Sequence, residues 1–124
     1  MDVLVLSNGK FEVKSISNEL EALHEIVGGY IEIPHLSDTF YENGIDIIIN
    51  EEGKFIDGMQ KEIAVVDKSS NVVLDVIFGN CIFAGHNEDG ETIGLTENQM
   101  RTVQNMLSDV GFLGDNTPVR VLYI

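Results

Sequence analysis

NVVLDVIFGNCIFAG, Asn71 to Gly85, is the most apolar stretch of the chain. Its β-branched and aromatic residues read as strand. Gly79-Asn80 interrupts it with residues that fit a bulge or a sharp bend. The stretch therefore reads as a bent or bulged strand pair, not one long flat strand, and the fold becomes a matter of strands and the turns between them.

Downstream, Asn87-Glu88-Asp89-Gly90 has the residue types of a turn, and ETIGL closes a hairpin behind it. The same types recur at Asn50-Glu51-Glu52-Gly53, behind the apolar run IDIIIN. In each, the Asn side chain can bond the turn backbone, two acids fit right-handed corner positions, and Gly supplies a positive φ. Both are predicted to be hairpin turns, with Gly53 and Gly90 at positive φ. Neither is followed by a Glu at the distance a helix-loop-helix calcium site needs, so no metal is expected.

Working outward, Val3–Ser7 and Lys10–Ile16 flank Asn8-Gly9, the pair that best tolerates a type I′ hairpin turn. SNELEALHEIVGGY is predicted as a helix capped by Ser17 or Asn18, with Leu20, Leu23, Ile26 and Val27 on one face. Gly28-Gly29 ends it, one of the two in the left-handed conformation. YIEIPHL reads as a strand with Pro34 at its end or on an edge, and SDTFYENG as a loop. IDIIIN, apolar on both faces after Asp46, reads as a central strand. KFIDGMQKEIAVVDKSS reads as a short strand, a crossing loop and a strand at Glu62 to Val66. Thr96-Glu97-Asn98-Gln99 is a capping-box pattern opening a second helix, with Met100, Val103, Leu107 and Val110 as its apolar stripe and its end near Gly111. VRVLYI, Val119 to Ile124, closes the chain as a strand. The expected fold is α+β, an antiparallel β-sheet built from hairpins with two amphipathic helices, in a single domain over residues 1–124. VLVLS and VRVLYI are too apolar to remain free sheet edges, which predicts a homo-oligomer.

The 44% hydrophobic content argues against disorder. No apolar run is long enough to cross a bilayer, and the N-terminus lacks the features of a signal peptide, so a cytoplasmic protein without membrane contact is expected. The only cysteine, Cys81, lies in an apolar setting and reads as a buried thiol. Against 21 Asp and Glu stand 7 Lys and Arg, a net charge of −14. Such a surface repels nucleic acid, so no direct nucleic-acid binding is expected. The acids serve solubility or imitate nucleic acid toward a DNA-binding protein. By position they scatter over turns, strand ends and the first helix, where Glu19, Glu21 and Glu25 lie.

His24, His35 and His86 have no chelating spacing. His86, beside an acidic turn, is the best single candidate for a general base, but it has no Ser, Cys or Asp partner in a motif, so no catalytic residue, cofactor or enzyme activity is assigned. Gly28-Gly29 follow a helix, whereas a phosphate cradle precedes one. Beyond the first hairpin only Lys54, Lys61, Lys68, Arg101 and Arg120 could meet an anion. Tyr30, Phe55, Phe83 and Tyr123, on predicted strands, pack the core or stack on a base.

In order, LEALHEIVGGYIEI, INEEGKF and IFGNCIFAGHNEDGETIGLTENQM resemble a domain family of unknown function from phages, plasmids and integrative elements of Gram-positive bacteria. The resemblance runs from Leu20 to Met106 and leaves the opening hairpin and last strand outside. It departs at Gly58-Met59-Gln60-Lys61, where that family has a Gly-x-Pro-x-Asn-like segment. It implies a small accessory protein, either a regulatory or structural protein of the element's own biology or one that counters host defence by one of two mechanisms. The first is a sponge for a cyclic ADP-ribose-type or cyclic oligonucleotide signal, in which Arg101 and Arg120 hold phosphates and Phe83 or Tyr30 stacks on a base. The alternative is an acidic DNA mimic that occupies a host DNA-binding defence enzyme.

Overall fold

The computed structural model describes all of residues 1–124. At Gly79-Asn80 the chain passes from one sheet to another: β6 (Val72–Phe78) and β7 (Cys81–His86) lie in different sheets. Gly79 makes the passage with φ +85° while its N–H donates to the Gln60 carbonyl at 2.7 Å. The bend expected there is thus a junction between two layers.

The first sheet runs β2 (Lys10–Ser15), β1 (Asp2–Ser7), β7, β4 (Ile45–Asn50), β3 (Ile31–Glu32), with β8 (Thr92–Ile93) also paired to β7, and is antiparallel throughout. The second runs β6, β5 (Lys61–Asp67), β10 (Pro118–Tyr123), β9 (Val110–Phe112). It is mixed, because β10 lies parallel to β5. The fold is α+β as expected, but the single antiparallel sheet becomes an antiparallel sheet and a mixed one. A parallel pair needs a long crossover, here the whole chain from β6 through β9.

The central strands of the first sheet, β1, β7 and β4, are apolar on both faces because both are covered. Leu4, Leu6, Ile47 and Phe83 face Ile63, Val65, Ile77 and Leu122 of the second sheet. Val3, Val5, Ile48 and Ile82 face Leu23 and Val27 of α1 (Leu20–Val27). A third cluster of Ala64, Val66, Val119 and Val121 lies on the second sheet.

Local signals hold where local chemistry decides. Asn8 and Gly9 take φ 52° and 77° in the first hairpin, and Gly28 ends α1 at φ 82°. Both halves of the Thr96 capping box form at the start of α3 (Glu97–Met106). Other readings need correction. Helix α1 starts from Glu19 without a side-chain cap; Asn18 reaches the Thr92 carbonyl at 2.8 Å instead, and Leu20 is exposed. The expected loop SDTFYENG holds a third helix, α2 (Asp38–Glu42), because Ser37 caps it and Phe40 enters the core. YIEIPHL supplies only the two residues of β3. Helix α3 stops at Leu107, and Val110 joins β9 instead of the helical stripe.

The two similar turns also part company. At Asn87 the expected turn forms: its Oδ1 accepts from Asp89 N (3.0 Å) and Glu91 N (2.9 Å), and Gly90 has φ +78°. At Asn50 no hairpin forms. The buried Asn50 donates to the Val27 carbonyl (3.1 Å) and accepts from Glu52 N (2.8 Å), and the chain enters a 3-10 turn at Gly53–Phe55. Gly53 is not at positive φ; it is small because a Cβ there would stand 2.7 Å from the Phe78 carbonyl oxygen. Gly90→Ala, in open space, should therefore cost about 1 kcal/mol through its φ alone. Gly53→Ala must displace backbone and should cost about 2–3 kcal/mol. Urea unfolding of both variants checks the order; a cheaper Gly53→Ala would contradict the close approach.

Neither VLVLS nor VRVLYI is a free edge: β1 lies between β2 and β7, and β10 between β5 and β9. The reason given for oligomerisation thus moves elsewhere, since exposed apolar side chains gather on the true edges, Val72, Val73 and Leu74 of β6 and Val110 and Phe112 of β9.

Candidate functional site

The four residues singled out for a nucleotide are held apart. Arg120 donates from Nε (3.2 Å) and Nη2 (2.8 Å) to the Gly9 carbonyl and from Nη1 to the Leu107 carbonyl (2.8 Å), with its guanidinium 4.6 Å from the Phe11 ring centre. It ties the first hairpin to the end of α3. Phe83 is 0% exposed, its ring between those of Phe11 (6.3 Å) and Phe40 (6.0 Å), so it has no face left for a ligand. Tyr30 is 72% exposed, edge-on to His24 at 5.6 Å. Arg101 bonds Asn98 of its own helix. No surface cavity is lined by two of the four.

Other cations are also engaged: Lys54 with Asp75, Lys61 with Asp115 (2.7 Å) and Lys14 with Glu12 (3.9 Å). The hydrogen bond from Lys61, helped by those from Thr117, holds the Asp115 carboxyl well below the ordinary range. Cys81 is buried as expected; desolvation, with the charge of Glu62 adding to it, pushes its thiol far above the ordinary range, so no nucleophilic thiolate forms near neutrality.

Glu62 carries no local signal that would single it out. It falls where the β5–β6 register shifts between Lys61 and Ile63, a bulge that re-aims its side chain. Only 2% exposed, it accepts from Asn8 N (2.8 Å) and Gly9 N (2.9 Å). Glu62 thus takes the amides of the hairpin turn whose carbonyl Arg120 takes.

His86 acquires the partner its sequence neighbourhood lacked. Its Nδ1 lies 3.0 Å from Asp46 Oδ1, each side chain 19% exposed, because β4 and β7 pair antiparallel with Asp46 opposite Ala84. Tyr41 stacks on His86 at 5.0 Å and 32°, and His35 packs on Tyr41 at 5.3 Å with its Nε2 2.7 Å from Asp38 Oδ1. The row borders a cavity of about 180 Å³ lined by Ile33, Pro34, Leu36, Phe40, Tyr41 and Asp46 among others. Asp46 is placed to orient the imidazole, as a carboxylate does in proton transfer, and no serine, threonine or cysteine hydrogen-bonds to the pair. The available signal was Asp46 itself, the one charged residue in an otherwise apolar strand run.

Charge is sorted by the fold. The antiparallel pairing puts the start of β1, the end of β2, the start of β4 and the end of β7 at one end of the first sheet. Both longer helices begin there: Asn18 bonds Thr92, and Gln99 bonds the Asn43 carbonyl at 2.8 Å. That end collects exposed Asp2, Glu19, Glu21 and Glu42, together with Glu88, Asp89, Glu91 and Glu97. Lys14, opposite Val3 next to the end of β2, and Arg101, one turn into α3, lie at its border, while Lys10, Lys54, Lys61, Lys68 and Arg120 lie toward the opposite end or on the second sheet. Eight of the 21 acids, scattered in sequence, meet at this end, while others, Glu51, Glu52, Asp67 and Asp75 among them, lie toward the opposite end or on the second sheet.

No group of three or more His, Cys, Asp or Glu is arranged to hold a metal ion, and no helix is long and apolar enough to cross a membrane. Neither a curated protein nor a solved structure matches the chain. The family model of the domain of unknown function DUF3846 matches residues 1–108, taking in the opening hairpin as well as α3, and the chain belongs to that family.

Proposed function

We propose that this chain is a non-catalytic binding protein whose acidic end docks on the basic, nucleic-acid-handling surface of a protein partner, the mimic role in host counter-defence implied by the resemblance to mobile-element proteins. The observation that carries the reading is the clustering of acids: one end presents Glu88, Asp89, Glu91, Glu97 and Glu42, with Arg101, one turn along α3 from Glu97, beside them. Favourable placement at helix N-termini accounts for Glu19, Glu21 and Glu97. Glu88 and Asp89 fit the corners of the Asn87 turn and Glu91 accepts from Asn87 Nδ2 at 3.1 Å, which leaves Asp2 and Glu42 without a local role. An acidic end speeds encounter with an oppositely charged partner and selects against others. The sponge reading has less support, since Arg101, Arg120, Phe83 and Tyr30 form no common site and Phe83 is in the core.

The test is a triple variant, Glu88→Lys with Asp89→Lys and Glu91→Lys, all on an exposed turn. A DNA-binding protein retained from host lysate by the wild type should lose its grip on DNA when the wild type is added. The association should weaken as salt rises, and the triple variant should bind on the order of a hundredfold less tightly. A partner that still binds DNA in the complex, or one that the triple variant binds equally well, would overturn the reading. Stoichiometric binding of a cyclic nucleotide by calorimetry, without any protein partner, would restore the sponge in its place.

A further inference from the structure

We infer that the cavity between the 33–37 segment and α2 receives a single arginine side chain offered by a protein partner. The inference rests on the reading above, in which the partner's surface is basic, and it names how that surface would be anchored. Size sets the first bound. A cavity of about 180 Å³ lies below the roughly 300–1,000 Å³ of sites that enclose drug-sized ligands, so a nucleotide does not fit, whereas one side chain does.

The lining sets the chemistry. Ile33, Pro34, Leu36 and Phe40 offer apolar surface to a methylene stem, which long basic side chains bury while keeping the charged head at a polar rim. Asp46 also lines the cavity, one oxygen of its carboxylate held by His86 Nδ1 at 3.0 Å and the other free of any hydrogen bond within the protein. Tyr41 on α2 lines the cavity as well, its ring packed against His86 at 5.0 Å and His35 at 5.3 Å with the rest of the side chain exposed. A planar guanidinium uses both features, forking onto a carboxylate and lying against a ring; an ammonium uses only the charge. Asp38 and Glu42 on the same short helix add negative potential, and neither lysine nor arginine lines the cavity. The His86–Asp46 pair holds the carboxylate in place, which makes His86 a positioning residue.

The experiment is an NMR titration of the ¹⁵N-labelled protein with N-acetyl-L-arginine methylamide, beside the citrulline analogue, which has the same shape without the charge. Saturable shifts of the Leu36, Tyr41 and Asp46 amides are expected with the arginine compound, with affinity at least tenfold weaker for citrulline. Asp46→Asn should weaken arginine binding tenfold or more, and Tyr41→Leu, an exposed position that leaves the fold intact, should do so several-fold. Equal binding of citrulline, or no saturable shift with the arginine compound, overturns the inference. The charge-reversed turn separates it from the reading it rests on. Lost partner docking with the arginine titration intact supports the pocket, while docking by the wild type with no arginine titration overturns the pocket and leaves the acidic interface standing.

Discussion

Phe83→Ala should lower the unfolding free energy by about 3–5 kcal/mol, the range for removing a fully buried aromatic side chain. Phe83 sits at the middle of β7, with Leu4 opposite it on β1 and Ile47 opposite it on β4, and its ring fills the space between Phe11 and Phe40. Removing it empties the junction of the two sheets. Domains of this size are stable by about 5–15 kcal/mol, so the loss is a large share of the whole. Tyr30→Ala, at an exposed ring, should stay within about 0.5 kcal/mol of the wild type. Urea unfolding of the two variants reads the contrast. A Phe83→Ala protein with the wild-type midpoint would return Phe83 to the ligand-binding candidates and contradict the packing described for the core.

What was legible in the sequence follows from how far each deciding contact lies along the chain. The Asn8-Gly9 turn, the left-handed Gly28 and the Thr96 capping box are fixed by residues within a few positions of one another, and each forms as its residue types require. The two acid-rich turns show where that stops. Asn50 and Asn87 head the same residue types, but Asn50 is buried against the Val27 carbonyl 23 residues away and Asn87 is not. Packing chose between a 3-10 turn and a hairpin. For the same reason the parallel pairing of β10 with β5 and the passage between sheets at Gly79 were not readable, since each depends on what the distant chain supplies, whereas the Ser37 cap of α2 is a local signal that the loop reading passed over. The site followed this rule as well: Asp46 and His86 are 40 residues apart, and the acids gather only when the strand ends align.

The largest polar effect should come from Glu62→Ala, which releases two amides. Both oxygens of this buried carboxylate are engaged, one by Asn8 N and the other by Gly9 N, and alanine removes both acceptors. Asn8 and Gly9 are exposed turn residues whose amides can regain water, so the loss is that of two hydrogen bonds to a charged group, on the order of 2–4 kcal/mol. Glu62→Gln should cost less, because one oxygen remains to accept while its amide nitrogen faces the other N–H. Arg120→Ala acts on the opposite side of the same turn, releasing the Gly9 carbonyl and the Leu107 carbonyl. Once either grip is gone the turn can lift away, so the second deletion has less left to remove, and the double variant should be less destabilised than the two single costs added together. Chemical unfolding measures the cycle, and hydrogen exchange at Asn8 and Gly9 locates it. Costs that simply add, or exchange at those two amides unchanged in Glu62→Ala, would mean that the turn is held by something else. The cycle also separates the functional readings, because an Arg120 occupied by Gly9 and Leu107 is a fastening of the hairpin. Arg120→Ala should therefore reduce stability while leaving partner docking at the acidic end unchanged below the melting transition, whereas a nucleotide site built on Arg120 demands loss of binding in a protein that remains folded.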